Sequence, residues 1–131
     1  MDRPQTGSIK AILACDDRGG IAKNGTLPWP RNAADMKWFK DNTIGHVVVM
    51  GSRTWQDTHM PRPMPDRVNV LATNKPNNYF GADYYVSGDI ARHLCILAFT
   101  YPNLITWVIG GADIIKQTLD VIDEFYVSRI A

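Results

Sequence analysis

Asp35, Gly51-Ser52-Arg53-Thr54, Arg67 and Gly110-Gly111 are the residues of this sequence whose types and places could do chemistry. Each glycine set stands between an apolar run and a helical stretch, where bare backbone and free N–H groups can approach a phosphate closely. A strand-to-helix turn often needs glycine for steric reasons alone, so Gly110-Gly111 by itself decides nothing. At Gly51 to Thr54 a cation and two hydroxyls join the turn, which strengthens the case for an anion site. Two such turns at the ends of two strands suit a long ligand with two phosphates, such as a dinucleotide. Asp35 has two open readings. It is a surface carboxylate set against the positive end of a helix, or it faces an apolar pocket beside Met36 and Phe39. There it would take two parallel hydrogen bonds from an amidine-like ring edge, and a raised pKa would keep a proton source near the chemistry. Arg67 follows a proline-rich turn and is either an ordinary exposed arginine or a fork for a carboxylate.

Other chemistries find little support. His46, His59 and His93 have no spacing that suggests shared ligation, so no metal site is expected. Neither a Gly-x-Ser-x-Gly elbow nor a Walker-type loop is present. Trp38, Trp55 and Trp107 read as core. A net charge of +1 with interspersed signs gives no basic footprint for nucleic acid. Cys15 and Cys95 stand singly in apolar stretches, as buried free thiols of a reducing compartment would. No apolar run approaches a membrane span and MDRPQTGS has no apolar signal core, so the cytoplasm is expected. With 131 residues, 45% of them hydrophobic, the chain supports one packed core: a single domain over 1–131, with 1–8 as a loose tail.

The elements that must position these residues can be read in order. Ile9 to Cys15 (IKAILAC) is a nearly continuous apolar run, as in a strand buried on both faces. A long loop through two prolines follows, then a helix from Ala33 on which Met36, Phe39 and Thr43 share a face. HVVVM at 46–50 is the second strand, leading into a short helix opened by Gly51 to Thr54. RVNVLAT is the third strand and Tyr84 to Val86 the fourth. Asp89 caps a helix from Ile90 to Phe99, LITWVIGG is the fifth strand, a helix runs from Ala112 to Leu119, and EFYVSRI is the last strand. Strands alternating with helices predict an α/β fold with a mostly parallel sheet and helices on both faces. Such sheets bind ligands at the carboxyl ends of their strands.

Taken in order, these segments resemble the dihydrofolate reductase family. GIAKNGTLPWP is similar to its active-site loop, ADMKWFK to its acidic helix, VVVMGSRTW to its second strand and cofactor turn, RPMPDRVNVL to its arginine segment, VIGGADI to its double-glycine turn and EFYVSRI to its late strand. The resemblance implies NADPH-dependent reduction of 7,8-dihydrofolate, by hydride transfer to pterin C6 and protonation at N5. It implies that Asp35 binds the pterin amino group and N3, with Ser128 completing this network and Trp29 ordering a water beside the ring. Leu13, Ala14, Met36 and Phe39 would wall the pterin, and Arg67 would grip the glutamate tail. On the cofactor side it places Ala14 and Ile21 at the nicotinamide, Gly51, Ser52, Arg53 and Thr54 with Ile109, Gly110, Gly111, Ala112, Asp113 and Ile114 at the phosphates, and Thr73 and Asn74 at the adenosine end. The loop from Gly19 to Trp29 would close over the nicotinamide.

The sequence departs from the family in three places. Ser52 stands where a basic residue often meets the cofactor 2′-phosphate, which leaves that task to Arg53. Ala112 and Asp113 follow the double glycine and bring a negative charge near the pyrophosphate. The chain ends at Ala131, where the family continues into a C-terminal hairpin, so self-association or a partner strand is expected at an exposed 124–130 edge. Two alternatives are a same-fold reductase of a riboflavin-pathway pyrimidine and a shortened, weakly active or silent relative that serves as a binding module.

Overall fold

Short apolar runs separated by helices fold into a single α/β domain in the computed structural model, which describes residues 7–15, 33–56 and 64–129. The strands are β1 (Ile9–Cys15), β2 (Val47–Gly51), β3 (Val68–Ala72), β4 (Tyr84–Val86), β5 (Thr106–Gly110) and β6 (Glu124–Arg129). The helices are α1 (Ala33–Thr43), α2 (Ser52–Trp55), α3 (Ile90–Thr100) and α4 (Ala112–Thr118), with 3₁₀ turns at Pro76–Asn78 and Leu119–Val121. The strands form one sheet in the order β4-β3-β2-β5-β1-β6, and every described pairing is parallel.

That order explains where the helices lie. From β1 the chain steps across to β2, β3 and β4 in one direction, then returns to β5 and β6 in the other. Right-handed crossovers must therefore put α1 and α2 on one face and α3 and α4 on the opposite face. The packing agrees. Phe39 of α1 and Trp55 of α2 bury against Ile12, Val48, Met50, Leu71, Trp107 and Ile109. Ile90, Leu94, Leu97 and Ala98 of α3 and Ile115 of α4 bury against the alternate strand residues, Ala11, Val49, Val70 and Val108 among them. A side chain the size of Phe39, 1% exposed, contributes about 1.5–3 kcal/mol by burial alone. The direction of crossover reverses at β5, whose neighbours β1 and β2 both leave toward the α1 face while β5 itself leaves toward α4. Such a reversal opens a crevice beyond the carboxyl ends of the strands.

Two expectations are corrected. The loose tail through Ser8 is too long, because Gly7 is buried and donates its N–H to Ala98 O at 2.8 Å, and Ser8 O accepts from Thr106 N at 2.8 Å. A β-carbon at Gly7 would collide with the Leu104 carbonyl, so this position needs glycine for close approach. Cys95 is not a buried thiol but an exposed one. The core face of α3 is Ile90, Leu94, Leu97 and Ala98, and this turns Cys95, Ile96 and Phe99 outward.

β6 pairs with β1 and, among the described residues, with no other strand. Its start is pinned by the ion pair of Lys10 Nζ with Glu124 Oε1 at 2.8 Å and by Tyr126, whose ring meets Trp107 edge-on at 5.0 Å between centroids. Phe125 and Val127 are each 47% exposed.

Candidate active site

Parallel strands bring the chemistry-bearing segments to one end of the sheet. Gly51 closes β2 opposite Ala72 of β3, and Met50 stands opposite Gly110 of β5. The pairing of β2 with β5 shifts register between Val49 and Met50, because Val49 faces Val108 and Ile109 is passed over. Both turns then enter helices without a side-chain cap: Gly51 leads into α2 and Gly111 into α4, each in extended conformation. First-turn N–H groups of an uncapped helix remain available to another acceptor.

The two turns also touch. A β-carbon at Gly51 would lie 3.2 Å from Ile114 Cγ1, so any side chain there would press on α4. Gly110 has φ +134°, a conformation other residues rarely adopt, and a β-carbon there would meet nothing within 4 Å. Among the described residues, space is therefore open beside the Gly110 turn, and bare glycine backbone stands at both turns. Around them Ser52 and Ile114 are half-buried, Arg53, Ala112 and Asp113 are exposed, and Thr54 and Ile109 are buried. At the end of β3, Thr73 donates its N–H to Val86 O at 2.9 Å, its Oγ1 accepts from Lys75 N at 3.1 Å, and Asn74 is exposed.

On the other side of β5, Ala14 pairs with Ser128 and Leu13 with Val127 in the β1–β6 register. Asp35 and Met36 lie in the first turn of α1, Asp35 one turn before the buried Phe39. The structure describes only the backbone of Leu13, Ala14, Asp35, Met36 and Ser128, and Ile21 and Trp29 lie outside the described residues. Among the described residues no group of three or more His, Cys, Asp or Glu is arranged to hold a metal.

Arg67 is half-buried at the turn entering β3. Its Nε donates to Pro65 O at 3.0 Å and its Nη1 to Thr43 Oγ1 at 3.1 Å, with Met64 Sδ at 3.6 Å from Nη1. Both Nη2 donors have no partner among the described residues. Burial pushes the guanidinium pKa down from its ordinary value, and the nearby Asp66 charge only partly offsets this. A charged group braced on one edge and partly desolvated is a good receptor for a carboxylate.

Sequence reasoning passed over Thr43 and Asn69 as site residues. Thr43 is wholly buried, and Asn69 is 1% exposed within an otherwise apolar strand. The available signal was a polar residue inside the apolar run VNVLA for Asn69, and one on the helical face of Phe39 for Thr43, since buried polar groups require partners.

Fold and site define a doubly wound α/β domain whose β2 and β5 turns come together at one end of the sheet. Over residues 8–131 the sequence matches the dihydrofolate reductase family. The chain is 37% identical over 123 residues to the dihydrofolate reductase of Mycobacterium tuberculosis, covering 93% of this chain and 71% of that protein. It is 36% identical over 114 residues to a putative bifunctional dihydrofolate reductase-thymidylate synthase of Oryza sativa, covering 77% of this chain but 23% of that longer protein. Among solved structures, dihydrofolate reductase from Enterococcus faecalis complexed with NADP(H) superposes with a TM-score of 0.74 at 28% identity, over 95% of this chain and 71% of that one. The chain belongs to the dihydrofolate reductase family.

Proposed function

We propose that this chain is an NADPH-dependent dihydrofolate reductase, converting 7,8-dihydrofolate to 5,6,7,8-tetrahydrofolate for one-carbon and thymidylate metabolism. The observation that carries this reading is the meeting of the Gly51 and Gly110 turns beside open space, at the end of the sheet where β1, β6 and α1 bring Ala14, Ser128 and Asp35. NADPH, when bound, supplies the hydride.

The chain's own residues do the rest. Gly51 to Thr54 and Gly110 to Ile114 hold the phosphates, Ile109 floors the site, and Thr73 and Asn74 meet the adenosine end. Arg53, exposed in the first turn, is the cation for the 2′-phosphate. Ala14 and Ile21 border the nicotinamide, while Leu13, Met36 and Phe39 wall the pterin. Asp35 takes the amino group and N3 of the ring in two parallel hydrogen bonds, with the Ser128 hydroxyl beside it, and its charge favours a proton on N5. Trp29 orders the water that brings that proton. Arg67 receives the glutamate α-carboxylate, which lifts the desolvation cost of its own charge.

No described helix is long and apolar enough to cross a membrane, and the exposed free thiol of Cys95 suits the cytoplasm. The outer edge of β6, with Phe125 and Val127 half-exposed, is where a second copy or a partner strand would add. Light scattering over a concentration series reads that association.

Calorimetric titration tests the site as a whole. NADPH and then dihydrofolate should each bind with one-to-one stoichiometry, the second more tightly in the presence of the first. Failure of either ligand to bind would remove the proposal, and binding of both without turnover would leave a silent binding module.

A further inference from the structure

Arg67 is fixed in place by its own neighbourhood before any ligand arrives. The turn that carries it is braced by Asn69, whose Oδ1 accepts from Met64 N at 2.9 Å and whose Nδ2 donates to Met64 O and Arg67 O, both at 3.0 Å. Within that turn Asp66 takes φ 60°, a conformation uncommon for a residue other than glycine. The guanidinium is then aimed by Thr43, the last residue of α1. The Thr43 hydroxyl donates its one proton to Phe39 O at 2.9 Å, which leaves its lone pairs for Arg67 Nη1 at 3.1 Å. A guanidinium can only donate, so this is the one arrangement in which both bonds form. With Nε occupied by Pro65 O and Nη1 by Thr43, Nη2 has no partner among the described residues and is placed to receive a ligand.

The same helix carries Asp35 in its first turn and Thr43 at its end, eight residues apart. At 1.5 Å per residue this is about 12 Å along the axis. A rigid rod of that length between the ring-binding carboxylate and the residue that aims the tail-binding arginine is a gauge for a long ligand with a flat head and an anionic tail. Without Thr43, the long arginine stem would regain rotamers that it must lose again on binding.

We propose that Thr43 is a positioning residue that aims the Arg67 fork and thereby sets the preference for substrates with a carboxylate tail; this rests on the reading of Arg67 as the carboxylate receptor. Thr43→Val keeps the shape and removes the acceptor, whereas Thr43→Ser keeps the acceptor. The test is steady-state kinetics of wild type, Thr43→Val, Thr43→Ser and Arg67→Leu on dihydrofolate and on a dihydropterin without the glutamate tail, with thermal unfolding of each. Thr43→Val should raise KM for dihydrofolate about tenfold, the scale of one charge-assisted hydrogen bond, while kcat and the KM of the tail-less substrate move by less than about twofold. Thr43→Ser should return KM to near the wild-type value. If Thr43→Val proves too unstable to assay, Thr43→Ala against Thr43→Ser should give the same split. Arg67→Leu separates the two ideas. If it discriminates between the substrates and Thr43→Val does not, the role of Thr43 is overturned and Arg67 keeps its own. If Arg67→Leu affects both substrates alike, the reading of Arg67 fails and the inference falls with it.

Discussion

Gly51 and Ile114 meet across the ends of β2 and β5, at a distance that leaves a β-carbon on Gly51 only 3.2 Å from Ile114 Cγ1. Substitution of Gly51 by valine should press on α4 through Ile114 and cover the backbone that the proposed function assigns to the phosphates. NADPH affinity is expected to fall by about 1–3 kcal/mol, the cost of losing one or two good hydrogen bonds, with the fold retained. Gly110→Ala should act differently, because its cost is the φ of +134° and not a collision. It should lower unfolding stability by about 1–3 kcal/mol. Calorimetry and chemical denaturation of the two variants check the pair, and a Gly51→Val protein with unchanged NADPH affinity would detach the two turns from the cofactor.

Arg67→Leu should weaken folate binding by about 2–4 kcal/mol while sparing pterins that lack the glutamate tail, because a desolvated carboxylate would lose its fork. Fluorescence titration with both ligands measures the difference. Equal losses for the two would return Arg67 to an ordinary structural arginine.

His46 should make the fold weaken in mild acid. Its Nδ1 accepts from Ile105 N at 3.0 Å, which only the form without a proton on that nitrogen can do. Burial first, and the positive charge of Lys10 second, hold its pKa below the ordinary 6.5. The unfolded chain therefore binds the proton more readily, and this contribution to stability is whole above pH 6.5 and is lost as pH falls through the lower folded-state value. His46→Asn supplies an acceptor near the same place without a titration. Its denaturation midpoint should change less than that of wild type over this window, and parallel curves would exclude His46 as the cause.

NADPH should be preferred to NADH by a moderate margin. Ser52 is neutral and Arg53 is exposed, so Gly51 to Thr54 offer one cation, while Asp113 puts a negative charge in the first turn of α4. One charge-assisted contact of roughly 1.5–3 kcal/mol corresponds to a preference of some tens-fold. The ratio of kcat/KM for the two cofactors should approach unity in Arg53→Ala. An unchanged ratio in that variant would place the 2′-phosphate elsewhere.

Much of this frame was legible in the residues. IKAILAC marks the bounds of β1 because a continuous apolar run has few other fates, Tyr84 to Val86 was recognisable as a short strand, and EFYVSRI as the last strand, of which Glu124–Arg129 forms β6. Phe39 followed from its place on the helical period, and Asp89 accepts from Arg92 N at 3.2 Å as a helix-capping carboxylate should. The outward face of α3 was not legible, since IARHLCILAFT is apolar nearly all round and only packing chooses Leu94 over Cys95. The passed-over Ile109 was hidden because register belongs to two strands 59 residues apart, beginning at Val47 and Thr106. Thr43 and Arg67 are separated by 24 positions, and no local pattern joins them. The asparagine in VNVLA was the one visible hint that the turn before β3 is braced.

The central claim is that this chain moves a hydride from NADPH to a pterin held by Asp35. Loss of the reduced nicotinamide absorbance on mixing NADPH and dihydrofolate, compared between wild type and Asp35→Asn at neutral pH, tests it most directly. Wild type should turn over. Asp35→Asn should lose most hydride transfer while its NADPH affinity stays close to wild type, because the substitution removes the charge that favours the protonated pterin without touching the phosphate turns. No oxidation of NADPH by wild type, or normal turnover by Asp35→Asn at pH 7, would contradict the account.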